Sequence, residues 1–405
     1  MTRVIRSRTL TSAAAATAAL LAACGGGGSD PVGTTGTLRL SLTDAPACGY
    51  DNVFVTVEKV RVHKSGAAGD ADAGWSEVVL AAPQRVDLLT LNNGTLLPLG
   101  QTALPAGSYT QMRLVLAANT AANPLANSIK PTGGAETALT TPSGQQSGLK
   151  ANINIDVPAD KIADFAIDFD ACKSFVKAGN SGKYLLKPVL SVIPILSDAG
   201  QRIVGYVDPS LVAPGTTVSA QLAGAPVRAT PPDVNGKFVL YPVPAGNYDL
   251  VITAAGRVNA VMTGVPVVNT AFTTIGSTAA RINTPPSANS YSVAGTITVT
   301  PPGGAASSAN TGGVVRATQT LTGGPTIEAA SANADDLNGG YSLLLPAGVP
   351  VKLAYAAGAT TFAFAGELAD AGKYKLSATA TGFAAPKTFD LPLAAVNPPV
   401  NFAFP

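Results

Sequence analysis

Histidine is nearly absent: one residue, His63, in 405, beside three cysteines and one tryptophan. Charged residues make up 12% of the chain and aromatics 6%. A single histidine leaves any Ser-His-Asp arrangement only one position to be built on, and no Gly-x-Ser-x-Gly elbow accompanies it. Lys and Arg total 26 against 24 acids, with no basic cluster, so the electrostatic footprint of nucleic-acid binding is missing. The cysteines lack the paired spacing of zinc sites. Few aromatics mean few platforms for stacking on sugars. What is abundant is Gly (42), Pro (31) and apolar residues (46%), a composition of short strands and many turns with enough apolar surface to fold. The length allows two to four domains.

The first residues read as an export signal. Arg3, Arg6 and Arg8 precede an Ala-rich apolar run from Leu10 to Leu21, and Leu21-Ala22-Ala23-Cys24 follows. The run is too short for a stable transmembrane span. It resembles the lipobox of bacterial lipoproteins. That resemblance implies removal of residues 1–23, acylation of Cys24, and a membrane anchor. The alternative is ordinary secretion with an incidental cysteine. Residues 24–35, with Gly25 to Gly28, form a flexible tether. In such lipoproteins an Asp after the cysteine commonly signals inner-membrane retention. Here Gly25 follows, and the resemblance implies the outer membrane.

With Cys24 assigned to lipid, Cys48 and Cys172 are left in a chain expected in an oxidising compartment. A disulfide between them is the natural pairing, worth on the order of 4 to 5 kcal/mol on the chain-entropy model. Two separately buried thiols are the alternative.

Apolar residues alternate through most of the chain, as in strands with one buried face. Leu38, Leu40 and Leu42 alternate with Arg39, Ser41 and Thr43, while Phe165, Ile167 and Phe169 alternate with Ala166, Asp168 and Asp170. Between Val53 and His63 the phase shifts, predicting a bulge near Glu58 and Lys59. At most a short helical turn fits 85–91 or 159–165. The expected fold class is all-β, a tandem of Ig-like or transthyretin-like sandwiches. Boundaries fall at 36–197, 201–283 and 290–405, with the Pro-rich stretch from Asn283 to Ser290 as a linker. Asn93-Gly94, Asn235-Gly236 and Asn338-Gly339 mark turns.

The second and third domains read as a duplication. Asn235-Gly236-Lys237-Phe238 precedes Pro244-Ala245-Gly246, and Asn338-Gly339-Gly340-Tyr341 precedes Pro346-Ala347-Gly348. Beyond Gly348 two alignments compete. One matches Gly256 with Gly358; the other matches Gly246-Asn247-Tyr248 with Gly372-Lys373-Tyr374.

Residues 36–194 resemble the bacterial family called domain of unknown function 4382, through GTLRLSLTDAP (36–46), 50–62, Trp75, 86–91, LPAGSYTQMRLVL (104–116), TPSGQQSGLK (141–150), 167–176 and 180–189. The family implies no activity, cofactor or catalytic residue. The second domain resembles carboxypeptidase regulatory-like, transthyretin-like sandwiches through Asn235 to Phe238 and Val243-Pro244-Ala245-Gly246-Asn247-Tyr248. That resemblance implies a structural or binding appendage, and carbohydrate binding only by analogy.

Few side chains suggest chemistry. His63 falls on the outward register, as a solvated residue. Gly179 to Lys183 lacks the first Gly and the final Ser/Thr of a phosphate loop, and reads as a turn. Asp44, Asp168 and Asp170 would be drawn together by a Cys48–Cys172 bridge, and clustered carboxylates suit calcium; the bland reading is a turn residue and two outward strand residues. The resulting expectation is a non-enzymatic, lipid-anchored envelope protein without cofactor or nucleic-acid partner. Its role is structural or adhesive, with another envelope protein or an envelope polysaccharide as partner; carbohydrate binding by the second and third domains is the alternative.

Overall fold

The structure, a computed structural model, describes residues 35–44, 49–141 and 147–405. Cys24, Cys48, the signal and the tether glycines lie outside the described residues. Those described form a tandem of β-sandwiches, each closed around its own apolar core.

In the first sandwich, a sheet of Leu190–Pro194, Ile162–Phe169, Thr35–Asp44 and Leu97–Pro105 faces a larger sheet built around Tyr50–His63 and Gly107–Leu116. The inward sets Leu38, Leu40, Leu42 and Ile167, Phe169 are fully buried, as the alternation predicts. The bulge falls between Val57 and Lys59, leaving Glu58 unpaired. Among the described residues of the first sandwich, short helical elements include a 3₁₀ turn at Leu88–Thr90, inside the expected 85–91, and a four-residue helix at Ala171–Ser174. Residues 162–165 are strand instead, because the backbone of 162–169 pairs in parallel with 37–44.

The second and third sandwiches share one topology. Each has a small sheet whose central strand, Ile203–Tyr206 or Ser290–Val299, pairs antiparallel with one neighbour and parallel with the last strand of the repeat. Each has a larger sheet ordered hairpin, return strand, edge: 225–230, 217–222, 246–253, 260–267 in one and 326–333, 314–320, 373–379, 387–392 in the other. Both hairpins carry a bulge at the same place, after Ala220 and after Ala317. Gly205 lies opposite Phe238 and Gly295 opposite Tyr341, so a glycine makes room for the aromatic ring in both.

A tyrosine decides between the two alignments. Tyr248 donates its hydroxyl to the Pro244 carbonyl at 2.9 Å, and Tyr374 donates to the Pro346 carbonyl at 2.7 Å. The first sandwich repeats the device, Tyr109 to Pro105 at 2.8 Å. Tyr374 is therefore the counterpart of Tyr248, the match of Gly256 with Gly358 is incorrect, and residues 348–371 are an insertion. That insertion leaves its own domain: Val351–Ala354 pairs in parallel with Ala260–Thr263 at the edge of the second sandwich. The span 290–405 is thus not one spatial unit. Nor is the stretch 283–290 a loose linker, since Val258 donates to the Pro285 carbonyl and Ser287 to the Gly256 carbonyl.

Candidate site at the three-domain junction

The strands Thr35–Asp44 and Ile162–Phe169 run parallel, with Thr43 opposite Asp168. Alternation places Ser41, Thr43 and Asp168 on the face turned away from the core. In the structure all three are buried, because the second sandwich covers that end of the sheet. The covering strand is Ala225–Thr230, and its Arg228 supplies the contact. The guanidinium pairs with the Asp168 carboxylate and donates to Thr43 Oγ1 at 2.5 Å and to the Asp44 carbonyl at 3.0 Å. Asp44 accepts the Ala171 N–H through Oδ1 at 3.0 Å, while its Oδ2, fully buried, has no hydrogen-bond partner.

Burial pushes the Asp44 carboxyl well above the usual carboxylate range; the adjacent Asp168 adds to the rise and the Ala171 N–H opposes it. Burial also raises Asp168, and the attraction of Arg228 offsets only part of that. For an acid, a raised folded-state value means that the folded chain holds its proton more tightly than the unfolded chain. The contribution of these two groups to stability is greatest below the ordinary aspartate range and is lost as pH rises above it.

From this floor a charge chain runs to the third sandwich. Asp170 caps the Ala171–Ser174 helix by accepting the Lys173 N–H, and its other oxygen receives the Lys173 ammonium at 2.9 Å. Burial pulls Lys173 down, yet Asp170 and Glu328 outweigh it and leave the ammonium raised. Glu328 is bound by Arg316, whose Nη2 donates to the Gly224 carbonyl at 2.7 Å. Gln221 completes the seam: its side-chain amide accepts the Glu328 N–H at 2.8 Å and donates to the Glu328 carbonyl at 3.0 Å. Asn333 donates to the Lys173 and Phe175 carbonyls.

These groups surround a cleft of about 440 Å³, floored by Asp168, Asp170, Cys172 and Lys173 and walled by small and hydroxyl side chains such as Ser219, Ala330 and Ser331. Cys172 is disulfide-bonded; Cys48 lies outside the described residues.

The three acids of the calcium expectation do meet here, but the cation among their oxygens is the Arg228 guanidinium. Asp170 is likewise taken up by Lys173. Among the described residues no three His, Cys, Asp or Glu side chains are grouped to hold a metal ion. Asp168 does occupy the outward register of its strand, but that face is a domain interface; Asp170 lies past the strand, as the cap of the Ala171–Ser174 helix.

Two further contacts fix the domains. Asn93, at the tip of the predicted Asn-Gly turn, donates to Thr230 Oγ1 at 2.9 Å and to the Pro231 carbonyl at 3.0 Å, and accepts the Val239 N–H. Asn93 and Gly94 both have positive φ, and a Cβ on Gly94 would stand 2.9 Å from Val239 Cγ1. At the other end, Gly179 N–H is held by both Asp335 oxygens at 3.0 and 2.8 Å, and Lys187 pairs with Asp336. The phosphate-loop lookalike is a turn, and the anion it holds is a carboxylate of the same chain.

His63 and Trp75 lie away from the cleft, on the first sandwich. His63 is half-buried at the surface of its strand: Nδ1 lies 2.8 Å from the Ser65 N–H nitrogen, and Nε2 lies 3.0 Å from the Ala73 carbonyl. Trp75 donates to the Gly69 carbonyl, with Arg61 and Arg113 at 4.6 and 4.8 Å from its ring. Both guanidiniums lie over the ring as cation–π partners.

Sequence reasoning missed Arg228, Lys173, Gln221 and Glu328. One signal was present: an arginine inside the apolar strand APVRAT, which needs an anion wherever it is buried.

No curated protein matches this sequence. Among solved structures, the chain is similar to a type II cohesin–X-dockerin complex, a C-terminal interface mutant from Acetivibrio cellulolyticus, at 22% identity and TM-score 0.19, over 22% of this chain and 59% of that one. It is also similar to the pilus adhesin SpaC from Lactobacillus rhamnosus GG at 7% identity and TM-score 0.12, over 86% of this chain and 37% of that one. Scores this low carry no conclusion about fold or function. The informative match is to a family: residues 35–188, the first sandwich, match the family described as domain of unknown function (DUF4382), as GTLRLSLTDAP and LPAGSYTQMRLVL led one to expect.

Proposed function

We propose that this chain is a lipid-anchored protein of the bacterial envelope whose three sandwiches work as one non-enzymatic body with a structural or adhesive role. In this reading residues 1–23 are removed, Cys24 is acylated, Gly25 directs the protein to the outer membrane, and the glycine tether holds the body off the lipid. Cys48 and Cys172 form a disulfide, and the two repeats are transthyretin-like modules of the carboxypeptidase regulatory type.

The observation that carries the mechanical part of the reading is the buried Arg228–Asp168 pair between the first and second sandwiches. Together with the Gln221–Glu328 and Asp335–Gly179 contacts, it ties each sandwich to the other two. A string of binding modules on flexible linkers has no need of such contacts; a load-transmitting body does. In the rival reading, polysaccharide binding, aromatic platforms would be expected, and among the described residues no aromatic side chain lines the cleft.

Mass spectrometry of the mature N-terminus tests the anchor, with acylated Cys24 expected and an unmodified N-terminus overturning it. Pull-down on insoluble polysaccharides, with a hydrolase panel, tests the role. No capture and no turnover are expected; saturable capture would replace the structural reading with glycan binding, and turnover would overturn it.

A further inference from the structure

The second and third sandwiches end their larger sheets in opposite ways. In the third, the edge strand Lys387–Pro392 (KTFDLP) is mostly exposed and carries the charged Lys387 and Asp390, residues that discourage another strand from pairing. In the second, the corresponding strand Ala260–Val267 (AVMTGVPV) presents no charge, and Ala260, Val261, Met262, Val265 and Val267 are buried. It needs cover, and the insertion provides it. Ala260 to Thr263 pair in parallel with Val351 to Ala354, Val351 N–H donates to the Asn259 carbonyl, and Tyr355 N–H to the Thr263 carbonyl.

The cover is apolar as well as hydrogen-bonded. Val351 belongs to the core of the second sandwich, and Leu353, Tyr355, Phe362 and Phe364 pack against that core. The third sandwich adds no strand of the segment to its own sheets and holds it through side chains, Asp370 accepting from Thr322 and Lys352 donating to the Thr322 carbonyl. Removing residues 348–371 would join Pro346-Ala347 to Gly372-Lys373-Tyr374 and regenerate the form of Pro244-Ala245-Gly246-Asn247-Tyr248. The insertion therefore behaves as a ligand strand, carried by one domain and consumed by its neighbour.

We propose that the Ala260–Val267 edge is a strand-accepting surface for self-association, with residues 349–366 of a second copy of this chain as its partner. In the closed chain the copy's own insertion occupies the surface. When the insertion lifts off that edge, with the sandwiches themselves staying joined, the same parallel pairing forms between copies, and the exchange links them.

The test uses the full chain, a deletion of residues 348–371, and a labelled synthetic peptide of residues 349–366. The folded deletion chain is expected to bind the peptide saturably, and the intact chain at least ~10-fold more weakly, because its edge is occupied. A peptide carrying Val351→Asp should lose binding. Light scattering after incubation of concentrated intact chain should show dimers or longer species that the deletion chain does not form. A folded deletion chain that ignores the peptide, or an intact chain that stays monomeric throughout, overturns the proposal. Should the deletion fail to fold, full-length Val351→Asp replaces it as acceptor, with peptide binding and its absence read in the same way.

Discussion

The second and third sandwiches are built on one plan and put to different uses. At the hairpin position opposite Ala220 the second repeat has Arg228; at the equivalent position opposite Ala317 the third has Ala330. One repeat drives a cation into the first sandwich, and the other leaves a methyl group on the wall of a cleft. At the far edge the second repeat receives a strand and the third supplies it. Topology was preserved by the paired glycine and aromatic, the bulge and the Pro-to-Tyr hydrogen bond. Assembly was set by a few residues on outward faces, which the sandwich fold leaves free to vary.

Exchanging those residues tests this division. Arg228→Ala gives the second repeat the residue of the third and strands Asp168 in a buried site. A loss of about 3–5 kcal/mol is expected in chemical denaturation, borne by the junction of the first two sandwiches, whereas Ala330→Ser should be nearly neutral. An unchanged midpoint for Arg228→Ala would show that the pair does not tie the domains.

Next come the shared glycines. A Cβ on Gly205 would lie 2.3 Å from the Phe238 ring, and one on Gly295 would lie 1.8 Å from the Val400 carbonyl oxygen. Alanine at either position is expected to cost about 1–3 kcal/mol by overpacking, and at 295 more than at 205, because backbone yields less than a side chain. Equal, small losses would remove the claim that these positions are equivalent constraints.

The tyrosines give a finer contrast. Tyr248→Phe loses one hydrogen bond, about 1 kcal/mol. Tyr374→Phe loses the equivalent bond and also the contact from Asn259 of the neighbouring repeat at 3.2 Å, so it should cost more and weaken the seam between repeats. Thermal melts of the two variants side by side would show the difference.

The smallest expected effect is a gain. Asp44→Asn keeps an acceptor for Ala171 and removes a carboxylate whose ionisation burial opposes. Stability should rise at neutral pH, by about 2–4 °C in melting temperature, and change little below the ordinary aspartate range. A fall in stability at neutral pH would mean that the ionised carboxylate is favoured there.

Much of the fold could be read in advance because it follows from local rules. Alternation located the strands, the phase shift after Val57 located the bulge, and Asn-Gly pairs located turns where φ is positive. The duplication was visible in the two Asn-Gly-x-aromatic motifs. Its continuation was not, since an insertion within a short motif leaves two alignments of equal quality until the Tyr374 hydroxyl is seen to reach Pro346. The candidate site was half legible: Asp44, Asp168 and Asp170 were singled out together, while the cations that meet them were not.

By itself, then, the sequence determined the elements, the inward face of each strand, and the repeated Pro-Ala-Gly and Tyr devices, since each depends on residues near one another along the chain. Only the tertiary structure decided what the outward faces do. Thr43, Asp168 and Arg228 carry the same polar signature whether they meet water or one another, and the chain distance between them hides the meeting. The same holds for Val351 to Ala354, a strand in either domain by its composition and a member of the neighbour's sheet by where the fold delivers it.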